Sequence, residues 1–421
     1  MNIGIIGSGG REHSLCYKIK QSKKIKKIYC FPGNVGTSEI ATNIKVNLKN
    51  FDEVYRIFKE KKINLVIVGP EEPLVDGIVD YFENKKIRVF GPSKIASQLE
   101  GSKIFMKKIC DEFKIPTAKY SEIFNLSEAE NFIDKFKLPI VVKSDGLAAG
   151  KGVTICKNKD EALKDIKDIF EGKFKSSNKV ILEEFIEGEE ISFFIITDGD
   201  KFKVIGTAQD HKRIGEGDSG LNTGGMGAYS PSLLINKILE KKILDKIIKP
   251  TLLGMKKKGY PYKGVLFAGL MIKDNEPKLI EYNIRFGDPE CQVLMMRLKN
   301  DLLDLILSVF ENNLDKQKII WNKKPCITVV AANKGYPIKF KKDTEIRNIH
   351  KIKQNENFQL FHAGTNKDEK GKIRATGGRV LNATVIANSL RDARHKANNI
   401  LDNIDWDNKY YRKDIGFKAI D

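Results

Sequence analysis

The sequence predicts a multidomain fold of mixed α/β and α+β character: a parallel, doubly wound amino-terminal domain, an α+β core, and a small β-rich carboxy-terminal domain. Three observations predict it. Residues 1 to about 93 alternate strand and helix, segments after Lys94 are strands broken by glycine loops, and beyond about Pro325 the chain is again strand-rich. Strand-helix alternation with short connections favours a parallel sheet, because each parallel strand needs a crossover to bring the chain back.

Asn2 to Ile6, Ile28 to Phe31, Leu65 to Val68 and Arg88 to Phe90 read as strands, with helices from Glu12, near 51 to 61 and near 74 to 84 between them. Ligands of such sheets bind at the carboxyl ends of the strands. Those ends carry Gly7-Ser8-Gly9-Gly10-Arg11-Glu12-His13 and Gly69-Pro70-Glu71-Glu72-Pro73. Two short helical stretches run from Lys94 to Ile115, the second containing Lys103. Core strands are expected at 140 to 143, 152 to 155, 180 to 183 and 190 to 195, with a strand pair near 265 to 282. Leu302, Leu305, Ile306, Val309 and Phe310 recur at i, i+3, i+4 spacing, which predicts one buried helix face. Strands at 326 to 331, 359 to 362 and 378 to 386 follow, and Ser389 opens a closing helix. The expected domains are 1–100, 101–325 and 326–421.

The 421 residues are 41% hydrophobic and 31% charged, enough to bury a sizeable core. No apolar run approaches the ~20 residues that span a bilayer, and Met1 leads straight into a strand, so a cytoplasmic protein without a membrane partner is expected. The net charge of +19 comes from lysine scattered in short runs such as Lys23-Lys24 and Lys256-Lys257-Lys258. Nucleic acid would call for a concentrated basic and aromatic stripe, so none is expected as a partner. The six cysteines lack any paired spacing and read as buried thiols.

Glycines after the first strand let a helix amino terminus approach a phosphate. The dinucleotide fingerprint fails, however, because Glu12 stands at the third glycine and no acid follows Tyr29-Cys30-Phe31. A phosphate-bearing substrate or a plain tight turn fits Gly9 to His13. In Lys143-Ser144-Asp145-Gly146-Leu147-Ala148-Ala149-Gly150-Lys151-Gly152 a lysine closes an apolar strand and a glycine loop follows. Exposed amides there can cradle phosphate oxygens while Lys143 neutralises their charge. A P-loop does not fit, since glycine follows Gly-Lys where that motif needs serine or threonine.

Further on, Leu182-Glu183-Glu184-Phe185-Ile186 to Glu190 can offer backbone of Glu184 and Ile186 to an adenine and the Glu190 carboxylate to a ribose, or can be an ordinary acidic hairpin. In Glu281-Tyr282-Asn283-Ile284-Arg285 alternate residues share a strand face, placing two oxygen ligands and a cation together. That set suits Mg²⁺ beside a phosphoryl group in transfer.

Lysine-glycine loop, adenine hinge and Glu-x-Asn-x-Arg, in that order, resemble the ATP-grasp superfamily. Within it, Arg285-Phe286-Gly287-Asp288-Pro289-Glu290-Cys291-Gln292 resembles the signature of the phosphoribosylamine-glycine ligase family. Matching stretches include Gly9 to His13, Gly69 to Leu74, Gln209-Asp210-His211-Lys212-Arg213, Asn222 to Tyr229 and His362 to Thr365, so the likeness spans the chain. It implies an ATP-grasp core with a lid subdomain at about 117–190, and ATP-dependent ligation of glycine to phosphoribosylamine with Mg²⁺ or Mn²⁺. It implies ATP contacts from Lys103, Lys143, Lys151, Glu183, Glu184, Ile186 and Glu190, and metal contacts from Glu281 and Asn283. Arg285 and Lys143 would carry the catalysis. Gly9, Gly10, Arg11, Glu12, His13, Asp210, Lys212, Arg213 and Asp288 would hold substrate, with the share of each basic cluster open.

His13 is either a proton carrier or a structural hydrogen-bonding residue. The glycine-rich stretch from Gly215 to Gly227 is expected as a mobile loop, and the chain as a monomer. Competing readings are an ATP-grasp carboxylase acting on bicarbonate, a nicotinamide oxidoreductase and a nucleic-acid module.

Overall fold

The structure is a computed structural model that describes residues 1–148, 152–174 and 179–420. β1 (Asn2–Gly7), β2 (Lys27–Pro32), β3 (Thr42–Asn43), β4 (Leu65–Val68) and β5 (Arg88–Phe90) form a parallel sheet in the order β3-β2-β1-β4-β5. The strand order reverses at β1, so the crevice falls between the carboxyl ends of β1 and β4, where Gly7 to Arg11 and Glu71 sit. The helix expected near 74 to 84 is two, Glu71–Asp76 and Ile78–Glu83, because Gly77 turns left-handed at φ +95° between them. The first of these begins at Glu71, which places that carboxylate at the crevice.

β6 (Tyr120–Ile123), β7 (Ile140–Ser144), β8 (Val153–Cys156) and β9 (Val180–Glu184) make an antiparallel sheet, ordered β6-β9-β7-β8. Helices Leu126–Ile133 and Lys159–Phe170 cover it, and Ile140, Val142, Leu182, Ile133 and Ile166 form a core of its own. This small layered unit carries Lys143 at the end of β7 and the glycine loop beyond it.

The largest sheet is assembled from β10 (Glu189–Asp198), β11 (Phe202–Asp210), β14 (Gly227–Ser230), β15 (Lys263–Lys273), β16 (Glu276–Asn283) and strands beyond residue 325, with the hairpin β12 (Arg213–Gly215) and β13 (Ser219–Asn222) projecting from it. The later strands are β17 (Cys326–Asn333), β18 (Thr344–Glu345), β19 (Phe358–His362), β20 (Thr365–Lys367), β21 (Ile373–Ala375), β22 (Arg379–Ile386) and β23 (Lys409–Tyr410). The order in the largest sheet is β16-β15-β10-β11-β14-β17-β22-β19. β14 pairs with β17 from Gly227 opposite Val329 to Ser230 opposite Cys326, so the carboxy-terminal strands extend the central sheet. Of the described strands beyond residue 325, β18, β21 and β20 form a separate small sheet.

The helix Leu302–Phe310 buries the predicted stripe and is capped by Asp301, whose carboxylate accepts from Leu303 N at 2.9 Å. Ser389 caps the closing helix Leu390–Asp402 through Asp392 N at 3.1 Å. All six cysteines are buried and unbridged. Among the described residues no helix is long and apolar enough to cross a membrane.

Candidate functional site

The three sheets enclose a cavity of about 750 Å³. β7, the turn from Gly146 to Ala148 and β9 supply one wall, β16 and the turn after it the floor, and the amino- and carboxy-terminal strands the far end. Lys143 is 5% exposed, with Nζ 2.8 Å from Glu183 Oε2 on the neighbouring strand and 3.5 Å from the Ile280 carbonyl of β16. Lys107 Nζ stands 3.2 Å from the other Glu183 oxygen. Buried carboxylates need such partners. Glu183 therefore acts on the cavity by fixing Lys143.

Lys103 opens the helix Lys103–Glu112 and donates to the Gly146 carbonyl at 2.9 Å. Asp145 links the same helix end to the turn that follows β7: it accepts from Ser102 Oγ and Ile104 N, each at 3.2 Å. Capping a helix amino terminus with a carboxylate is favourable on both hydrogen-bonding and dipole grounds. Sequence reading passed over this role because the partners are some forty positions apart in the chain. Lys151 lies outside the described residues.

Glu184 ends β9, and Glu184, Phe185 and Ile186 line the cavity as the chain leaves that strand. Glu190, on β10, pairs with Lys212, whose Nζ also lies 3.7 Å from Glu281. Burial would raise the Glu281 carboxyl, but Lys212, Lys143, Lys103 and Arg285 together hold it below the usual range. Asp210 also lines the cavity; burial, with Glu290, Glu190 and Glu281 nearby, raises its carboxyl well above the ordinary value despite Lys212.

Glu281 and Asn283 share the cavity face of β16, which ends at Asn283. Arg285 therefore lies beyond the strand, in contrast to the expectation of a continuous face, yet it still lines the cavity. Its placement comes from two carboxylates: Nε is 3.1 Å from Glu71 and Nη2 2.8 Å from Glu100. Against its burial, Arg285 and Arg11 hold Glu71 down at about 2. Burial raises Glu100 to about 7 against Arg285, with Glu71 adding to the rise. The position of Glu71 at a strand's carboxyl end was the available signal for its role; Glu100 had none.

Of the amino-terminal candidates only Arg11 lines the cavity, and Gly9, Gly10, Glu12 and His13 do not. Glu12 turns back to accept from Gly9 N at 2.5 Å and to pair with Arg11 at 2.6 Å. Gly10 lies against Asn382 and Gln292, where no side chain would fit. His13 is 7% exposed, stacks edge-on against Phe361 and accepts from His362 N at 2.9 Å. Burial, with His362 beside it, keeps its imidazole well below the usual value. These contacts correct the proton-carrier reading of His13 in favour of the structural one.

Asp288 accepts from Gln292 at 2.9 Å and lies 3.5 Å from Arg379, a cavity residue that sequence reading missed. Arg213 lines the cavity from β12 and donates to the Gly220 carbonyl at 2.8 Å. The stretch expected to be a mobile loop is a short hairpin tied to the carboxy-terminal tail. Arg412, fully buried, reaches the Arg213 carbonyl at 3.0 Å and Asp218 at 2.9 Å, and Gly217 N donates to Asp414 at 2.8 Å. Glycine content suggested mobility, but the anchors lie some two hundred residues away.

Comparison with known proteins agrees with this architecture. Family models described as the N domain, the ATP-grasp (A) domain and the C domain of phosphoribosylglycinamide synthetase match residues 1–100, 101–291 and 326–418. A phosphoribosylamine-glycine ligase from Brucella melitensis is 47% identical over 100% of this chain and 99% of its own length. The crystal structure of phosphoribosylamine-glycine ligase from Thermotoga maritima, 32% identical, superposes with a TM-score of 0.86 over 99% of this chain and 100% of that one. The biotin carboxylase domain of a Hydrogenobacter thermophilus 2-oxoglutarate carboxylase, solved with MgADP and bicarbonate, matches with a TM-score of 0.74 over 97% of this chain and 91% of that one. At 17% identity it shares the fold alone. The chain belongs to the phosphoribosylamine-glycine ligase family, ATP-dependent enzymes that join glycine to phosphoribosylamine in purine biosynthesis.

Proposed function

We propose that the ligation runs in this cavity through glycyl phosphate, with glycinamide ribonucleotide, ADP and phosphate as products. The observation that carries the reading is that Lys143, closing β7, meets β16 at the Ile280 carbonyl, 3.5 Å away, beside the cavity face bearing Glu281 and Asn283. A triphosphate between lid and floor then faces lysine from one side and oxygen ligands from the other.

Adenine binds the backbone of Glu184 and Ile186, and Glu190 takes the ribose hydroxyls. Lys103 and Lys143 neutralise the phosphates, with Glu183 holding Lys143. Glu281 and Asn283 fit a divalent cation, Mg²⁺ or Mn²⁺. The Glu281 carboxylate is kept ionised, and Asn283 Nδ2 is buried with no hydrogen-bond partner among the described residues, so turning that amide presents Oδ1 instead. Two protein oxygens suit a cation that prefers its remaining ligands from phosphate and water. When bound, it supplies charge neutralisation at the β- and γ-phosphates.

A glycine carboxylate oxygen attacks the γ-phosphorus and ADP leaves. The amine of phosphoribosylamine attacks the acyl carbon, loses a proton, and phosphate departs. Arg285, fixed by Glu71 and Glu100, stands where charge develops in the first transfer. Acyl phosphates hydrolyse, so water has to be kept from the cavity, the task of the stretch from Gly215 to Gly227. Residues 1–100 and 326–421 supply the substrate end, and 101–325, with its lid at about 117–190, clamps the nucleotide. The chain acts as a monomer in the cytoplasm. Phosphate release from ATP that requires glycine and phosphoribosylamine together supports the reading. Release driven by bicarbonate would replace it with a carboxylase.

A further inference from the structure

We propose that Arg379, at the start of β22, binds the 5-phosphate of phosphoribosylamine, with Arg213 as the second guanidinium of the same cradle. This rests on the ligase reading above and assigns a subsite that it left open.

A phosphate monoester carries close to two negative charges and needs donors that the protein has not already committed. Most cations lining the cavity are committed. Arg285 has Glu71 and Glu100 at 3.1 and 2.8 Å, and Lys212 has Glu190 and Glu281. Lys418 has Glu189 and Asp218 at 3.1 and 3.3 Å, and Arg11 has Glu12 at 2.6 Å. Lys103 and Lys143 stand at the nucleotide end.

Two guanidinium groups remain. Arg213 has no carboxylate partner among the described residues, and its Nη1 alone is held, by the Gly220 carbonyl at 2.8 Å. Arg379 meets one carboxylate, Asp288, at 3.5 Å. Its Nη1 is fixed by the carbonyls of Asp288 at 2.6 Å and Gly224 at 2.7 Å. In both, Nε and Nη2 have no protein partner among the described residues, and both side chains line the cavity. The Gly220 carbonyl at Arg213, and the Gly224 and Asp288 carbonyls at Arg379, thus hold each fork by one nitrogen and leave the other two to a ligand. That edge is the one that grips phosphate bidentately. A glycine carboxylate, with one charge, has less use for two such forks than a phosphate has.

The test is calorimetric, on the full chain with ADP present, using glycinamide ribonucleotide and its dephosphorylated counterpart glycinamide riboside. The wild type is expected to prefer the ribonucleotide by about a hundredfold or more, since two guanidinium groups, each with two charge-assisted hydrogen bonds, are at stake. Arg379→Gln is expected to lose most of that preference while binding ADP normally, and Arg379→Lys to keep part of it. Arg213→Gln, which leaves the carbonyl contacts of Arg379 intact, is expected to lose part of it as well. Retained preference in Arg379→Gln overturns the assignment, as does an unchanged preference accompanied by a raised KM for glycine. A wild type that binds neither compound overturns the ligase reading and the subsite with it.

Discussion

The Nζ of Lys143 lies 2.8 Å from Oε2 of Glu183, and both side chains are buried beside the cavity. A lysine held this way presents its charge to the triphosphate without first having to be ordered. Lys143→Ala is expected to weaken ADP and ATP binding by about ten- to a hundredfold, the worth of one or two charge-assisted contacts. It also leaves Glu183 with Lys107 alone, so the melting temperature should fall. Titration of ADP against the variant checks the first effect and a thermal scan the second. Unchanged nucleotide affinity would transfer the role to another lysine.

Glu281→Gln removes the negative charge that four cations hold ionised. Turnover is expected to fall by about a hundredfold or more, in the range seen when one preorganised electrostatic group is deleted. The fold should survive, because the Glu281 carboxylate faces the cavity. The discriminating readout is the Mg²⁺ dependence of ADP affinity, which the variant should lose. Near-normal activity at saturating Mg²⁺ would remove Glu281 from the metal site.

Local pattern made much of this legible in advance. The strands of the first sheet, the lysine closing β7 and the stripe of the helix Leu302–Phe310 all follow from periodicity and punctuation that a short window contains. What sequence left hidden depends on chain-distant neighbours. Arg285 finds Glu71 and Glu100, 214 and 185 positions away, and those contacts place it after its strand has ended. Fusion of β17 onto β14 needs a pairing across nearly a hundred residues. The Gly215 to Gly227 stretch shows the converse error, since composition suggested freedom where Arg412 and Asp414 supply anchors.

Asp145 ties the turn after β7 to the helix that begins at Lys103. Its carboxylate takes Ser102 Oγ and Ile104 N while Lys103 holds the Gly146 carbonyl. Asp145→Ala should cost about 1 kcal/mol of stability, as for other lost helix caps. The larger effect is expected on nucleotide affinity, because loop and lysine are no longer placed together. A rise in KM for ATP exceeding any change in KM for glycine is the expected pattern. Equal changes in both would mean that the latch serves folding only.

Three buried histidines sit where the carboxy-terminal segment meets the rest of the chain. His13 and His362 face each other between β19 and the helix Gly10–Ile19, and His211 Nε2 accepts from Gly416 N at 2.9 Å. Burial lowers all three, His211 and His362 to about 4, with Arg412 adding to the effect at His211 and Lys367 at His362. In the unfolded chain each titrates near ~6.5. Between those values the unfolded state binds more protons than the folded one, so stability rises with pH and falls as the medium is acidified. For His211 and His362 the loss begins near pH 6.5 and is complete near pH 4, and the other groups around His211, Asp218 and Asp414, which favour its charged form, soften it. Glu100 and Asp210, whose carboxyls are raised, take up protons in the folded state over the same window and oppose the drop, so the readout is the difference in slope of melting temperature against pH between wild type and variant. His362→Gln should flatten the slope, at the cost of some stability at neutral pH. An unaltered slope in that variant would shift the acid sensitivity to other groups.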